Sequence, residues 1–157
     1  MEKLKMALEL QEISFERDEN VQEILLADHV ELGHVMYEAY LGTIDYSGES
    51  IEEAIEEVNG TLEGKYGKII NEACLQTKVE DEIASAIVCN ILEKSGLPMI
   101  TFAMTKAKFK GKGFSKKLIK EALMRLKDLG YKKCLLFVTD GNEPALSIYK
   151  KMGFQAV

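Results

Sequence analysis

The sequence predicts one mixed α/β (α+β) domain: a mostly antiparallel sheet flanked by helices, with a central strand-helix-strand crossover. Three observations predict it. Two apolar segments, Ile83–Leu92 and Met99–Thr105, are joined by the short turn Ser95-Gly96, which favours an antiparallel hairpin. From Phe114 the apolar period lengthens to that of a helix. Cys134-Leu135-Leu136-Phe137-Val138 then forms an unbroken apolar run, as expected for a central strand covered on both faces. The strands at Met99–Thr105 and Cys134–Val138 should therefore be parallel neighbours with a right-handed connection. At 157 residues, without repeats, low-complexity tracts or linkers, residues 1–157 read as a single domain.

In chain order, Leu8 to Phe15 alternates and reads as a strand within an N-terminal extension of residues 1–20. Val21 to Ala27 reads as a second strand, after the polar turn Arg17-Asp18-Glu19-Asn20. Asp28 with Glu31 resembles a capping box opening a helix to about Tyr40, with Val30, Val35, Met36, Ala39 and Tyr40 toward one side. A polar loop, Gly42 to Glu49, separates it from a helix capped by Ser50 and Glu53 and ending near Asn59-Gly60. Lys68 to Gln76 reads as a strand preceding the hairpin. Phe114, Leu118, Ala122 and Leu126, with Ile119, Leu123 and Leu129, make a broad stripe on a helix stopped by Gly130. Pro144 and Gly153 bracket the last helix. Residues 154–157 leave only a strand stub, and a strand that short raises the expectation that a neighbouring chain, as in a homodimer, completes the sheet.

Composition narrows the function. No apolar run approaches the roughly 20 residues that cross a bilayer, and the acidic start lacks a secretory leader's apolar stretch. Cys74, Cys89 and Cys134 lie in apolar runs without CxxC spacing, so buried free thiols in a reducing, cytoplasmic compartment are expected. With two histidines, nothing points to zinc or another metal. The net charge of −6 is unevenly spread. Residues 106–157 carry 13 Lys+Arg against 4 Asp+Glu, a balance of +9, while residues 1–105 carry 7 against 22, a balance of −15. Two solvated surfaces would satisfy that pattern; so would a polyanion on the C-terminal third and a cationic ligand on the remainder. An acidic chain without basic-aromatic interleaving argues against nucleic acid.

Two motifs carry chemistry. Lys110-Gly111-Lys112-Gly113-Phe114-Ser115 opens a helix with a glycine-rich, lysine-flanked turn, where free backbone N–H groups and the helix dipole favour phosphate. Lys108, Lys116 and Lys117 add charge at its mouth. A tight strand-to-helix turn would need the same glycines. GxxxxGK[ST] is absent, and Lys116 occupies the third glycine of GxGxxG. The second motif sets Asn142 and Tyr149 seven residues apart, nearly two turns, with small Ala145 between them on the same face. Asn142 also suits a helix N-cap, and Tyr149 could simply pack.

Together these segments resemble the GNAT superfamily of acetyl-CoA-dependent N-acetyltransferases. Its phosphate motif, [Gln/Arg]-x-x-Gly-x-[Gly/Ala], falls on Lys110 to Ser115, and its later motif, Asn-x-x-Ala-x-x-x-Tyr-x-x-x-Gly-Phe, on Asn142, Ala145, Tyr149, Gly153 and Phe154. The resemblance is strong from about Ile83 to Phe154. It implies that the amides of Gly111 to Ser115 grip the diphosphate of acetyl-CoA, the acyl donor. Main-chain groups of Ala103, Met104 and Thr105 would run beside its pantetheine arm, and Asn142 would contact that arm. Tyr149 would be the general acid for the departing thiolate, a role that suits a phenol with a pKa of about 10. The acceptor would be a small-molecule or peptide amine that attacks directly, without nucleic acid or membrane as partner.

The chain departs from the pattern at Lys110, at Ser115 and at Ala107, where proline is common. Met99 to Thr105 carries no carboxylate, so the base that some members hold there is missing. Glu80, Asp81, Glu82 and His34 are alternatives, and none is assigned. The family's acceptor cleft would fall at Gly42 to Glu49 with Tyr37, Tyr40 and Tyr46, and the acidic first 105 residues point to a cationic amine. The rivals are a non-catalytic acyl-CoA-binding or sensor domain and an interaction domain that kept only the fold.

Overall fold

The computed structural model describes residues 2–157. One seven-stranded sheet runs through it, with strands β1 (Lys3–Glu9), β2 (Gln22–Glu23), β3 (Leu75–Val79), β4 (Glu82–Leu92), β5 (Leu97–Thr105), β6 (Lys133–Thr139) and β7 (Gln155–Ala156). Their spatial order is β2-β3-β4-β5-β6-β1-β7. All pairs are antiparallel except β5 with β6, which α3 (Phe114–Asp128) connects as a crossover. Helices α1 (His29–Tyr40) and α2 (Ile51–Leu62) cover β3 to β5 on one face, around Leu32, Val35, Val58 and Met104. On the other face, α3 and α4 (Glu143–Met152) pack Leu118, Leu123, Leu126 and Leu146 against Met6, Leu136 and Val138. No helix among the described residues is long and apolar enough to cross a membrane.

The helices follow their local signals. Ser50 Oγ accepts from the Glu53 N–H at 3.1 Å, and the Glu53 carboxylate accepts from the Ser50 N–H at 3.0 Å, a complete capping box. Asp28 forms no such box. Its Oδ2 accepts instead from the Leu25 N–H and Gln76 Nε2, while Glu31 accepts from the Ile83 N–H, so both acids tie α1 to the sheet. Val30, expected on the buried side, is exposed. Close packing of α1 on α2 requires Gly33, where a Cβ would lie 2.6 Å from the Ile55 Cα.

The N-terminal half departs most from expectation. The first strand is Lys3–Glu9, not Leu8–Phe15. Leu4, Met6 and Leu8 point into the core while Lys3 and Lys5 point out, and Leu10–Glu12 turns as a 3₁₀ helix. Ile13 and Phe15 then lie along α3 as an irregular strap, where the Ile13 carbonyl accepts from Lys127 Nζ at 2.6 Å. The expected strand Val21–Ala27 shrinks to Gln22–Glu23 before a 3₁₀ turn at Leu26–Asp28. Of Lys68–Gln76, only Leu75 and Gln76 are strand, because Asn71–Ala73 turns as a 3₁₀ helix. The helix expected to end near Gly60 continues to Leu62.

The C-terminal stub pairs within its own chain: β7 joins β1, which itself pairs with β6 over seven residues. Strand β6 is not covered throughout. Phe137 is 42% exposed, because α1 and α2 stop short of this half of the sheet.

Candidate active site

The glycine turn before α3 has the expected shape. After β5, a 3₁₀ turn at Ala107–Phe109 leads into Gly111 (φ +79°) and Gly113 (φ +85°), left-handed conformations that glycine adopts without strain. The first helical bond of α3 runs from the Lys117 N–H to the Gly113 carbonyl at 3.2 Å. The N–H groups of Phe114, Ser115 and Lys116 therefore precede any helical acceptor and face outward with the positive end of the dipole. A Cβ at Gly111 or Gly113 would meet nothing within 4 Å, so the mouth of α3 is clear for a ligand to approach.

Not all the lysines are free. Lys110, aligned with the family's Gln or Arg, donates instead to the Ala39 carbonyl at the end of α1, at 2.7 Å. Lys108 pairs with Glu82 at 2.7 Å. Lys112, Lys116 and Lys117 make no ion pair among the described residues.

A fork in the sheet leads from this turn. Strands β5 and β6 pair only at Met99–Leu135 and Ile100–Leu136. The β4–β5 register then slips, with Val88 opposite Phe102 and Cys89 opposite Ile100, so Thr101 bulges and β5 bends away from β6. Beyond the bulge, Ala103, Met104 and Thr105 pair with β4 alone, and their β6-facing main chain is open. The side chains of Met104 and Thr105 turn away, Met104 into the α1–α2 core and Thr105 onto Ser85 Oγ at 2.9 Å. Only their main chain can serve a ligand lying in the fork.

A cleft of about 860 Å³ fills the fork. Ala103, Phe137, Ala145 and Tyr149 form one wall, and Tyr37, Tyr40, Asp45 and Tyr46 the other. The Tyr149 ring meets Phe154 edge-on at 5.6 Å, and its hydroxyl has no hydrogen-bond partner among the described residues. Burial, with smaller contributions from Cys134, Cys89 and Asp45, pushes its phenol up to about 12. Burial also raises Tyr40, helped by Tyr149 and Asp45.

Asn142 caps α4, its Oδ1 accepting from the Ala145 N–H at 3.4 Å, and its Nδ2 donates to Asp45 Oδ2 at 3.3 Å. Thr139 Oγ1 donates to Asp45 Oδ1 at 2.5 Å. Sequence reading placed Asp45 in the acceptor loop without distinguishing it. No local signal shows which loop acid turns inward.

The four candidate bases lie elsewhere. Hydrogen bonds from Lys108 and Lys106 hold the Glu82 carboxyl below its usual range. Glu80 and Asp81 form the β3–β4 turn with positive φ, His34 is exposed on α1, and none of the four lines the cleft. The three thiols are buried and free, as expected.

Proteins sharing this architecture can be compared directly. The acetyltransferase (GNAT) family model matches residues 43–154, well over half of the chain, and the chain belongs to this family. Among solved structures, it is similar to PH1933 from Pyrococcus horikoshii OT3, at 27% identity and a TM-score of 0.71, over 87% of this chain and 88% of that one. A PaiA N-acetyltransferase from Thermoplasma acidophilum, solved with coenzyme A, shares 23% identity with a TM-score of 0.67, over 86% and 88% of the two chains. The ribosomal-protein-S18-alanine N-acetyltransferase from Escherichia coli shares 12% identity at 0.65, over 85% and 75%. The last two likenesses are of fold alone. No curated protein sequence matches.

Proposed function

We propose that the protein, as a single domain over residues 1–157, transfers an acetyl group from acetyl-CoA to a primary amine. One observation carries this reading: beyond the Thr101 bulge the main chain of β5 is unpaired toward β6, with the cleft that holds Ala103 and Tyr149 at one end and, directly after Thr105 in the chain, the glycine turn that opens α3 at the other. A diphosphate fits the first, an extended amide-bearing arm the second, and a leaving thiolate the third. When bound, acetyl-CoA supplies the activated acyl group. Gly111 to Ser115 hold its phosphates through main-chain N–H groups, with Lys112, Lys116 and Lys117 adding charge. Ala103 to Thr105 orient the arm.

The acceptor nitrogen bonds to the acyl carbon as the C–S bond breaks, and Tyr149 gives its proton to the sulfur. A phenol is protonated at neutral pH and can pass its proton to a strongly basic departing thiolate, and burial keeps Tyr149 in that protonated form. Asn142 acts here through Asp45 and the α4 cap, with any contact to the arm made beside them. The acceptor is a cationic amine. Asp45, Glu49, Glu53, Glu56 and Glu57 line the cleft against Lys3 and Lys65, and Lys65 is paired with Glu57 at 3.1 Å.

The test is incubation with acetyl-CoA and a panel of polyamines, lysine peptides and neutral amino acids, read by mass. Acetylated cationic amines are expected. Preference for the neutral amines would refute the acceptor class, and tight acetyl-CoA binding without transfer to any amine would favour the sensor.

A further inference from the structure

We propose that Asp45 receives the acceptor's ammonium group and takes the proton it must lose before attack. This rests on the acetyltransferase reading above. Asp45 belongs to the α1–α2 loop, yet its carboxylate is fixed from outside that loop, by Thr139 at the end of β6 (2.5 Å) and Asn142 at the cap of α4 (3.3 Å). Both donors are neutral. No ion pair engages Asp45 among the described residues, so its charge is uncompensated, and each oxygen keeps a free acceptor site.

The groups around it suit an ammonium. Tyr37 and Tyr46 meet edge-on at 6.2 Å and, with Tyr40, make an aromatic wall whose ring faces attract cations. Tyr40 on α1 and Tyr149 on α4 line the same cleft as the carboxylate. Glu49 shares the loop, and Lys3 on β1 lies opposite Thr139 without pairing to Asp45.

Protons and electrons balance. Asp45 takes the first proton from the ammonium. The free amine bonds to the acyl carbon, the sulfur leaves with the C–S electron pair, and Tyr149 protonates it. The nitrogen passes its second proton to the Tyr149 phenolate, and Asp45 releases the first to water. A carboxylate is ordinarily a weaker base than an alkylamine, so the first transfer runs uphill in water. Attack on the thioester consumes the free amine as it forms and so draws the transfer forward.

The test is Asp45→Asn, which keeps an acceptor for Thr139, assayed with a strongly basic alkylamine and with an alkoxyamine that is neutral at about pH 7. The expected loss in kcat/KM is about 100-fold for the alkylamine and under about 3-fold for the alkoxyamine. Raising the pH toward the alkylamine's own pKa should close the difference. Asp45→Glu, which restores the charge, should recover much of the alkylamine rate and serves as the second variant if the asparagine form folds poorly. Equal losses on both acceptors, an undiminished alkylamine rate, or a glutamate variant as slow on the alkylamine as the asparagine one would overturn the assignment. A wild-type protein that acetylates neither amine would refute the acetyltransferase reading itself, and this inference with it.

Discussion

Gly113 allows the proposed cofactor site to be tested with its energetic components separated. It caps α3 at φ +85° and ψ 2°, and an added Cβ meets nothing within 4 Å. Gly113→Ala therefore introduces backbone strain without a clash, about 1 kcal/mol, which lowers the melting temperature of a chain this size by about 2–4 °C. Gly113→Asp keeps the strain and adds a carboxylate at the mouth where the diphosphate is proposed to lie. At about 6 Å and an effective dielectric between 20 and 80, repulsion is about 0.7–3 kcal/mol per phosphate charge. Taking about 2 kcal/mol, the aspartate variant should bind coenzyme A about 30-fold more weakly than the alanine variant.

Stability should move the other way. Aspartate tolerates the left-handed region better than alanine and interacts favourably with the helix N-terminus. Thermal melts should therefore rank glycine, then aspartate, then alanine, while calorimetric affinity ranks glycine, alanine, aspartate. Molar salt, which shortens screening to about 3 Å, should compress the affinity gap. Equal affinity of the two variants would show that no phosphate rests at this turn.

Three further perturbations test separate parts of the structure. Tyr149→Phe should lower kcat by about 10²-fold or more with little change in melting temperature, because the hydroxyl has no protein partner; full turnover would remove it as the acid. Gly33→Ala forces α1 off α2 at Ile55 and should destabilise the fold by about 1–3 kcal/mol while raising the acceptor KM more than the coenzyme Kd; unchanged stability on thermal melting would contradict the packing described. Glu121 is buried: desolvation works to raise its carboxyl, but hydrogen bonds from Arg17, the Asp18 N–H and Arg125 prevail and pull it down from 4.5 to about 2. Its contribution, about 2–3 kcal/mol, is thus full above about pH 4.5 and lost as pH falls toward 2. Glu121→Gln should destabilise the protein near neutrality and flatten its acid melting profile over that window; parallel acid profiles would refute it.

Legibility in the sequence followed the range of the interactions. The α2 capping box, the α3 stripe and the β4–β5 hairpin rest on groups a few residues apart, and each forms where its pattern lies, except that Leu129, expected in the stripe, follows the last turn of α3 and is exposed. Asp28 shows the limit: its spacing to Glu31 is that of a cap, but Gln76 and the Ile83 N–H draw the two acids to the sheet. Lys110 shows it at the site, since its motif position points to a ligand while its ammonium sits on the Ala39 carbonyl. The first strand was legible in principle, in the alternation Leu4, Met6, Leu8. The interleaved lysines are outward-facing residues of a half-exposed strand, and apolar density further along drew the expectation to Leu10, Ile13 and Phe15 instead.

Taken alone, the sequence determined the glycine turn that opens α3, the bracketing of α4 by Pro144 and Gly153, and the placing of Asn142 and Tyr149 seven residues apart at the cap and on the body of one helix. Backbone handedness, capping and helical spacing are properties of neighbours in the chain. Only the tertiary structure decided that β1 inserts between β6 and β7, that the Thr101 bulge opens the fork, and that Asp45 meets Asn142 across 97 residues. Those outcomes depend on which faces pack and which edges find partners, and no local spacing encodes them.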